Sequence, residues 1–285
     1  MKYWFILASY ACFLIVSIYF KGDGYTSWIS LATTFVVFIF AIFLAFSISN
    51  RRDRIINLRG ALRELDGVTI SLYNYSKVFG KDYSAKLLQL IDDYFIQQID
   101  YALVDFRKTQ GMFMEIYDYV SKTKVVNDEQ QDAKMAMMAD LENTMKLREK
   151  VEFSLSDRMQ PYEWVTIIAL AILTVGSMIY INDGSWVALA ILPILETVVL
   201  VIFVTIYDLD SLRWQEQNWI WEPLSAMFIA LGLLPYFPDD LIFLKRVPKS
   251  FLSQFKSYRV GKYKHPYPNF DDKVVQVVDN NDKRS

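Results

Sequence analysis

A single carboxylate interrupts a long apolar run in the second half of the chain. Glu196 lies ten residues after Trp186, in a run that extends to Tyr207 and contains no other charged residue. At a helical rise of about 1.5 Å per residue, the carboxylate lies near the middle of the run. Pro193, three residues earlier, removes one helical hydrogen bond. Glu196, Pro193 and Tyr207 therefore form the candidate polar or pore site of this run.

Two interpretations of this site stay open. In one, the carboxylate faces a water-filled path, which Tyr207 extends because it lies eleven residues later on nearly the same helix face. In the other, a protonated carboxyl group bonds to hydroxyl groups of neighbouring helices, with Thr33, Thr34, Thr174 and Ser177 as candidates. A carboxylate that faces lipid is costly. Both interpretations therefore place Glu196 in the protein interior or on an aqueous path.

A second group of charges lies at the ends of the last two apolar runs. It consists of Glu163, Asp208, Asp210 and Arg213. These residues either solvate the helix ends and pair locally or, in an oligomer, form a ring of carboxylates that attracts cations. We call them the candidate inner-mouth charge cluster.

The composition offers little for catalysis or metal binding. Cys12 and His265 are the sole cysteine and histidine, too few for an intramolecular disulfide or a multi-histidine zinc site. No phosphate-binding glycine loop, nucleophile elbow or zinc-protease motif occurs. The net charge of −2 gives no reason to expect a nucleic-acid partner. We predict a protein that is not an enzyme, with no cofactor, no metal and no nucleic-acid partner.

Four apolar runs must position these residues. They are joined in pairs by short connectors and cover Tyr3–Phe20, Tyr25–Ile48, Trp164–Ile181 and Trp186–Tyr207. About 20 apolar residues cross a bilayer as a helix, and backbone polar groups in lipid must be satisfied within the segment. The sequence predicts an all-α membrane protein with two transmembrane helical hairpins (four spans) and a cytoplasmic helical-bundle insert.

Changes in hydropathy and charge set the boundaries of the parts. The insert carries apolar stripes at helical spacing, for example Met138, Leu141 and Met145, which predict helices without strands. We expect breaks near Gly80 and Gly111, and we expect the first and last helices of the insert to continue the second and third spans. The predicted parts are hairpin 1 (1–50), the helical insert (51–160), hairpin 2 (161–210), an interfacial or re-entrant apolar segment (211–248), and a basic and aromatic cytoplasmic tail with a disordered end (249–285). For the apolar stretch Pro223–Phe237 within 211–248, a helix buried in protein is the third alternative.

Basic residues are distributed unequally around the runs. The two short connectors hold only Lys21, whereas Arg51, Arg52 and Arg54 directly follow the second run. Basic residues stay on the cytoplasmic side of a membrane. We predict a multi-pass protein of a bacterial plasma (inner) membrane with both termini and the insert in the cytoplasm. The basic tail is a flank of this kind or a contact to anionic lipid headgroups.

Short motifs add a family resemblance. Arg51-Arg52 follows the second run, Arg158-Met159-Gln160-Pro161-Tyr162-Glu163-Trp164 leads into the third, and Asp208-Leu209-Asp210 ends the fourth. With the two pairs of runs around a charged insert, these motifs resemble the bacterial bestrophin-like family over residues 1–222. True bestrophins are pentameric ion channels, so the resemblance implies an oligomeric channel. The acidic run of their calcium site has no counterpart here.

These features lead to one main hypothesis and two alternatives. The main hypothesis is a homo-oligomeric, bestrophin-like ion channel whose insert forms a cytoplasmic vestibule, with the lipid bilayer and further copies of the chain as partners. The first alternative is a non-conducting, membrane-anchored interaction or regulatory protein that docks partners through its helical insert. The second is a small transporter that uses Glu196 for proton coupling. The oligomeric state discriminates between the first two.

Overall fold

The protein folds into two compact units, seen in a computed structural model that describes residues 3–22, 27–101, 103–212, 221–244, 247–263 and 272–280. The membrane unit comprises residues 1–55 and 158–212, and the insert unit comprises residues 56–157 and 213–285. The elements, in chain order, are α1 (Tyr3–Tyr19), α2 (Ser27–Ser76), α3 (Lys81–Asp100), α4 (Gln110–Ser121), α5 (Asp128–Ser156), α6 (Pro161–Ile181), α7 (Trp186–Ser211), α8 (Trp221–Ala230), β1 (Tyr236–Pro238), α9 (Asp239–Phe243), α10 (Lys249–Leu252), β2 (Ser257–Lys262) and β3 (Val274–Asp279).

Three stretches of helix are long and apolar enough to cross a membrane by length and composition. They are Trp28–Phe79, Asp128–Ile181 and Trp186–Ser211. Helix α1 is also apolar but has only 17 residues. In the most apolar part of the three stretches, 11%, 11% and 17% of the residues are buried. Most apolar side chains of this unit therefore face outward, as expected for a helical protein whose surroundings are lipid.

The interior of the membrane unit changes character along the helices. Near the end where α6 begins and α7 ends, here called the Asp210 end, an apolar cluster contains Phe40, Leu44, Met159, Ile167 and Ile206. From the middle of the helices to the α6–α7 connector, here called the connector end, the buried residues among those described are Ser9, Ser17, Thr174, Asn182, Pro193, Glu196 and Thr197. One half of the unit thus has an apolar interior, and the other half has a mostly polar one.

The insert is helical, as the sequence predicts. Its described residues between 51 and 160 form helices, two 3₁₀ turns (Lys77–Phe79 and Leu103–Thr109) and short connections, with no strand. Gly80, with φ of 97°, marks a break because this conformation favours glycine. Helix α2 runs without interruption from the membrane unit into the insert. A break at residues 157–160 separates α5 from α6, because Pro161 disfavours a helical residue before it.

A three-stranded sheet near the C-terminus corrects the all-α prediction. The strand order is β1-β2-β3; β1 pairs with β2 in parallel and β2 with β3 in antiparallel orientation. Strand β1 has only three residues, too few to show a period of two. Its partner in β2 is distant in the chain, with Tyr236 opposite Arg259. Strands β2 and β3 lie inside the predicted tail, whereas β1 lies in the predicted apolar segment 211–248. The last residues of the tail, 281–285, where we expect the disordered end, lie outside the described residues.

The described part of the apolar segment 211–248 packs into the insert unit, which agrees with the protein-buried alternative and not with an interfacial or re-entrant helix. In α8, Phe228 is fully buried, and its ring meets that of Phe95 on α3 edge-on at 6.3 Å between centroids. Tyr236 and Phe237 of β1 are also fully buried. The apolar character of this segment therefore reflects a protein core, which hydropathy alone does not distinguish from contact with a membrane.

Charged contacts fasten the C-terminal sheet to α3. Arg259 of β2 forms a two-pronged ion pair with Asp92, with N–O distances of 2.6 and 2.7 Å. Asp100 accepts hydrogen bonds from the Tyr236 hydroxyl and the Lys273 ammonium group, each at 2.7 Å. Burial and the Asp100 carboxylate raise the pKa of Tyr236 above its usual value, so the phenol remains a donor. We call these five residues the α3 clasp. Arg259 and Lys273 of the basic tail thus bind carboxylates of the protein itself.

Candidate functional site

Asp210 is the centre of a buried polar node at one end of the membrane unit. One of its carboxylate oxygens lies 3.4 Å from the Arg51 guanidinium and accepts a 2.8 Å hydrogen bond from the backbone N–H of Met159. Arg54 donates to the backbone carbonyl of Asp210 at 2.8 Å. All three charged side chains are at least nine-tenths buried. We call these four residues the Asp210 node.

Helix geometry brings the residues of the node together. Arg51 and Arg54 are three positions apart on α2, so they project from the same face. Asp210 lies in the last turn of α7, and Met159 lies in the break that precedes α6. The node thus joins α2, α7 and the start of α6. Leu212, the residue that directly follows α7, has a left-handed conformation with φ of 54°, although it is not glycine.

Glu163 has a separate, local role at the start of α6. Its carboxylate accepts a 2.7 Å hydrogen bond from the backbone N–H of Gln160, and the side chain of Gln160 accepts from the backbone N–H of Glu163, which completes a reciprocal capping box. Pro161 occupies the first turn of the helix. Such a box satisfies backbone N–H groups that have no partner within the helix. The side chain therefore fixes where α6 begins.

The inner-mouth charge cluster predicted from the sequence is only partly assembled. Asp210 is buried in the node, Glu163 caps α6, and Asp208 is half-buried with no ion pair to a described residue. Arg213 lies outside the described residues. The partners of Asp210 are Arg51 and Arg54. In the sequence these arginines predict which side of the membrane is cytoplasmic, and they give no partner for a buried carboxylate. Their spacing of three was the signal that could have placed both on one face toward a buried partner.

Glu196 lies in the polar half of the interior. Its exposed fraction is 0%, and neither of its carboxyl oxygens has a hydrogen-bond partner among the described residues. Pro193 is also buried, and its carbonyl accepts a 2.6 Å hydrogen bond from the Thr197 hydroxyl. Helix α7 continues through the proline.

Tyr207 does not share the environment of Glu196. Its side chain is 51% exposed, and its ring lies 6.1 Å from that of Trp164, between centroids. The distance in helix rise between the two residues is about 16 Å. The structure therefore separates a buried carboxyl group from an exposed phenol, and the two do not form one polar stripe within the chain.

Asn182 is a structural residue that directly follows α6, in the short connector to α7. It is fully buried, and its side-chain amide donates to the carbonyls of Ser17 at 2.7 Å and Phe20 at 2.9 Å. The backbone carbonyl of Asn182 accepts a 2.8 Å hydrogen bond from the backbone N–H of Gly22. A Cβ atom at Gly22 would come within 1.8 Å of the carbonyl oxygen of Tyr180, so glycine is required there. These contacts hold the end of α1 against the α6–α7 connector.

The insert contains a buried cation among aromatic rings. Arg148 of α5 is 4% exposed and donates to the hydroxyl groups of Tyr94 at 2.5 Å and Thr109 at 3.0 Å. Its guanidinium carbon lies 4.6 Å from the ring centre of Phe106 and 5.5 Å from that of Phe113, within the range of cation–π attraction. This arrangement joins α3, α4 and α5 around one polar centre.

Within the described part of the chain, no group of three or more histidine, cysteine, aspartate or glutamate residues could hold a metal ion. The apolar, outward-facing helices and the polar node at their end define a helical membrane protein. The family model described as the bestrophin-like domain matches residues 16–212, and the chain belongs to this family. No curated protein and no solved structure matches the chain. The matched range includes all four residues of the Asp210 node and ends at Leu212, the residue that directly follows α7.

Proposed function

We propose that this protein acts as a homo-oligomeric, channel-like member of the bestrophin-like family. Family membership supports this proposal. The observation that carries it is the outward-facing apolar surface of the membrane unit: in the most apolar part of each candidate span, only 11–17% of the residues are buried. This surface is available to lipid and to further copies of the chain.

The interior of one membrane unit favours a path between copies. At the Asp210 end, Phe40, Ile167 and Ile206 fill the space between the helices, and the Asp210 node closes the same end with buried side chains. Water and ions do not pass a closely packed apolar interior. A permeation path therefore requires surfaces that several chains supply together.

We also propose four spans with cytoplasmic termini. The fourth span is α1, whose length of about 25 Å is slightly less than a bilayer core of about 30 Å and whose end is held by Asn182. Arg51, Arg52 and Arg54 favour the cytoplasm for the Asp210 end. Cysteine labelling of Ser185→Cys and Val126→Cys, with Cys12 replaced, tests the orientation. Val126 represents the insert because it is 87% exposed, whereas Ser76 is fully buried. Reaction of position 126 with an impermeant reagent in intact cells would refute the orientation.

The oligomeric state and ion flux test the proposed function together. We expect the protein in lipid nanodiscs to have the mass of a closed ring of several chains, and we expect proteoliposomes that contain it to release a trapped ion faster than empty ones. The Asp210→Ala variant serves for comparison in the flux assay: if assembly depends on the Asp210 node, this variant should form no ring and release no ion. A monomer that carries no flux would exclude the channel.

A second function is supported by a cavity in the insert. This cavity of about 820 Å³ is lined by α3, α4 and the start of α5, and its wall includes the stacked rings of Tyr83 and Tyr119. Charges of both signs surround the rings, namely Lys86, Lys122, Lys124, Glu115 and Asp118, and Lys122 pairs with Asp118 at 2.8 Å. Aromatic rings with polar surroundings suit the docking of a protein partner. A monomer without flux would favour this interaction protein over the channel.

A further inference from the structure

Glu196 has no counter-charge in the part of the membrane unit that surrounds it. It is the only charged residue within α1, α7 up to Tyr207, and residues 27–50 and 164–181 of α2 and α6. Toward the Asp210 end, the nearest charged residue on α7 is Asp208, 12 residues or about 18 Å of helix rise from Glu196. At the other end, Lys21 lies exposed beside the connector.

The other titratable groups of the packed helices are also few. Helix α1 offers Tyr10 and Cys12 near its middle, and α6 offers Tyr162 and Tyr180 near its ends, with Glu163 at its start. Cys12 is exposed, as are Tyr162 and Tyr180. None of these groups supplies a positive charge. An ionised carboxylate at Glu196 would therefore be buried without a cation, which is strongly unfavourable.

Two buried hydroxyl groups in the connector half of the interior differ from the others in these helices. Thr34, Thr166, Ser177, Thr197 and Thr205 each donate to the carbonyl four residues earlier. The hydroxyl groups of Ser17 and Thr174 are equally placed in helices, yet neither has a partner among the described residues, although both residues are 1% exposed. Their hydroxyl groups are therefore available to another polar group of the interior.

Of these two hydroxyl groups, that of Thr174 is better placed to bond to Glu196. It lies seven residues before the end of α6, and Glu196 lies ten residues after the start of α7. Measured from the connector end, the two residues differ in height by about 4.5 Å. Ser17 lies close to the connector, where its carbonyl binds Asn182. Of the four hydroxyl candidates considered from the sequence, Thr174 is the one that is buried.

We propose that Glu196 is an intramembrane proton-binding site within each chain. Its carboxyl group is neutral at pH 7, and the Thr174 hydroxyl is its hydrogen-bond partner through internal water. The neutral form removes the cost of a buried charge, and the shared hydrogen bond satisfies two buried groups at once. This site is independent of conduction, because it lies inside the protomer and away from its outer surface.

Infrared difference spectroscopy of the protein in lipid tests the proposal. Asp66 of the insert has a pKa that burial raises to about 7, so the measurement uses the Asp66→Asn background at pH 7. The difference between this variant and Asp66→Asn with Glu196→Gln should contain the C=O band of one protonated carboxyl group. Bands of an ionised carboxylate in place of the C=O band would overturn the proposal.

The partner is tested by a second pair of variants. Thr174→Val keeps the shape of the side chain and removes the hydroxyl, so we expect the C=O band of Glu196 to move to a higher wavenumber. Ser177→Ala is the matched control, because Ser177 is one turn away and already bonds to Leu173. A band that is unchanged in Thr174→Val, or equally moved in both variants, would overturn the assignment. If Glu196→Gln does not assemble, Glu196→Asp serves instead, with a displaced but protonated C=O band expected.

Discussion

Replacement of Asp210 by alanine removes the central acceptor of the Asp210 node. The variant loses the 3.4 Å contact to Arg51 and the 2.8 Å hydrogen bond from Met159. The bond from Arg54 survives, because it goes to the backbone carbonyl. Since all three helices that meet at the node depend on this side chain, we expect the membrane unit to lose stability as a whole.

The magnitude follows from burial. Removal of one partner from a buried ion pair costs about 3–5 kcal/mol, and an unsatisfied buried N–H group costs about 1 kcal/mol or more. The Arg51 contact is longer than an ideal ion pair, and Arg54 keeps one bond, so the lower end of the range applies. We expect a loss of about 3 kcal/mol, which corresponds to a decrease in Tm of about 6 °C.

Thermal unfolding in detergent, followed by tryptophan fluorescence, measures this change. Trp164 packs against Phe203 and Tyr207 in the same unit and reports on it. Asp208→Ala is the matched control, because Asp208 is half-buried without an ion pair to a described residue; its cost should stay below about 0.5 kcal/mol. Asp210→Asn keeps an acceptor for Met159 and should lie between the two. Equal Tm values for the Asp210→Ala and Asp208→Ala variants would refute the reasoning.

Two further predictions concern the insert unit. Burial holds the pKa of Asp66 at about 7 against an ordinary value of 3.8, so the folded form keeps a proton that the unfolded chain loses; stability should fall by up to about 4 kcal/mol as the pH rises from 4 to 7. Asp66→Asn should remove this loss and be more stable than the natural protein at pH 8 but not at pH 4, measured by Tm; a gain that is independent of pH would contradict the assignment. Arg259→Met breaks the pair with Asp92 and should increase hydrogen exchange in β1 and β2 at least tenfold, whereas exposed Lys262→Met should leave exchange unchanged; equal exchange in both variants would show that the α3 clasp does not hold the sheet.

The helical character of the insert could be predicted because it is a local property. Stripes such as the one through Ile55, Leu58 and Leu65 repeat at the helical period, and these residues are buried. The sequence predicts that an apolar stripe exists, but it does not fix which face of the helix is buried. In α5, Met137 is fully buried, whereas Met145 is 39% exposed, because neighbouring apolar residues offer more than one face and the packing partners decide between them.

The sheet and the burial of α8 could not be predicted from a local pattern in the sequence. Strand β1 is too short for a period to appear, and its pairing with β2 depends on the fold of the residues between them. The hydropathy of α8 is that of a segment in lipid or in a protein core. The contact between Phe228 and Phe95 decides for the core, and this contact joins residues far apart in the chain.

The sequence by itself determined that this is a helical membrane protein of the bestrophin-like family, because the length and apolarity of the runs and a few short motifs are visible one segment at a time. Only the tertiary structure decided how the polar residues are used. Arg51 and Arg54 meet Asp210 across more than 150 positions of chain, and Asn182 reaches Ser17 across 165. The burial of Glu196 and the exposure of Tyr207, on one helix, depend on which neighbours cover each face. Such contacts follow from the packing of whole helices, which no local period encodes.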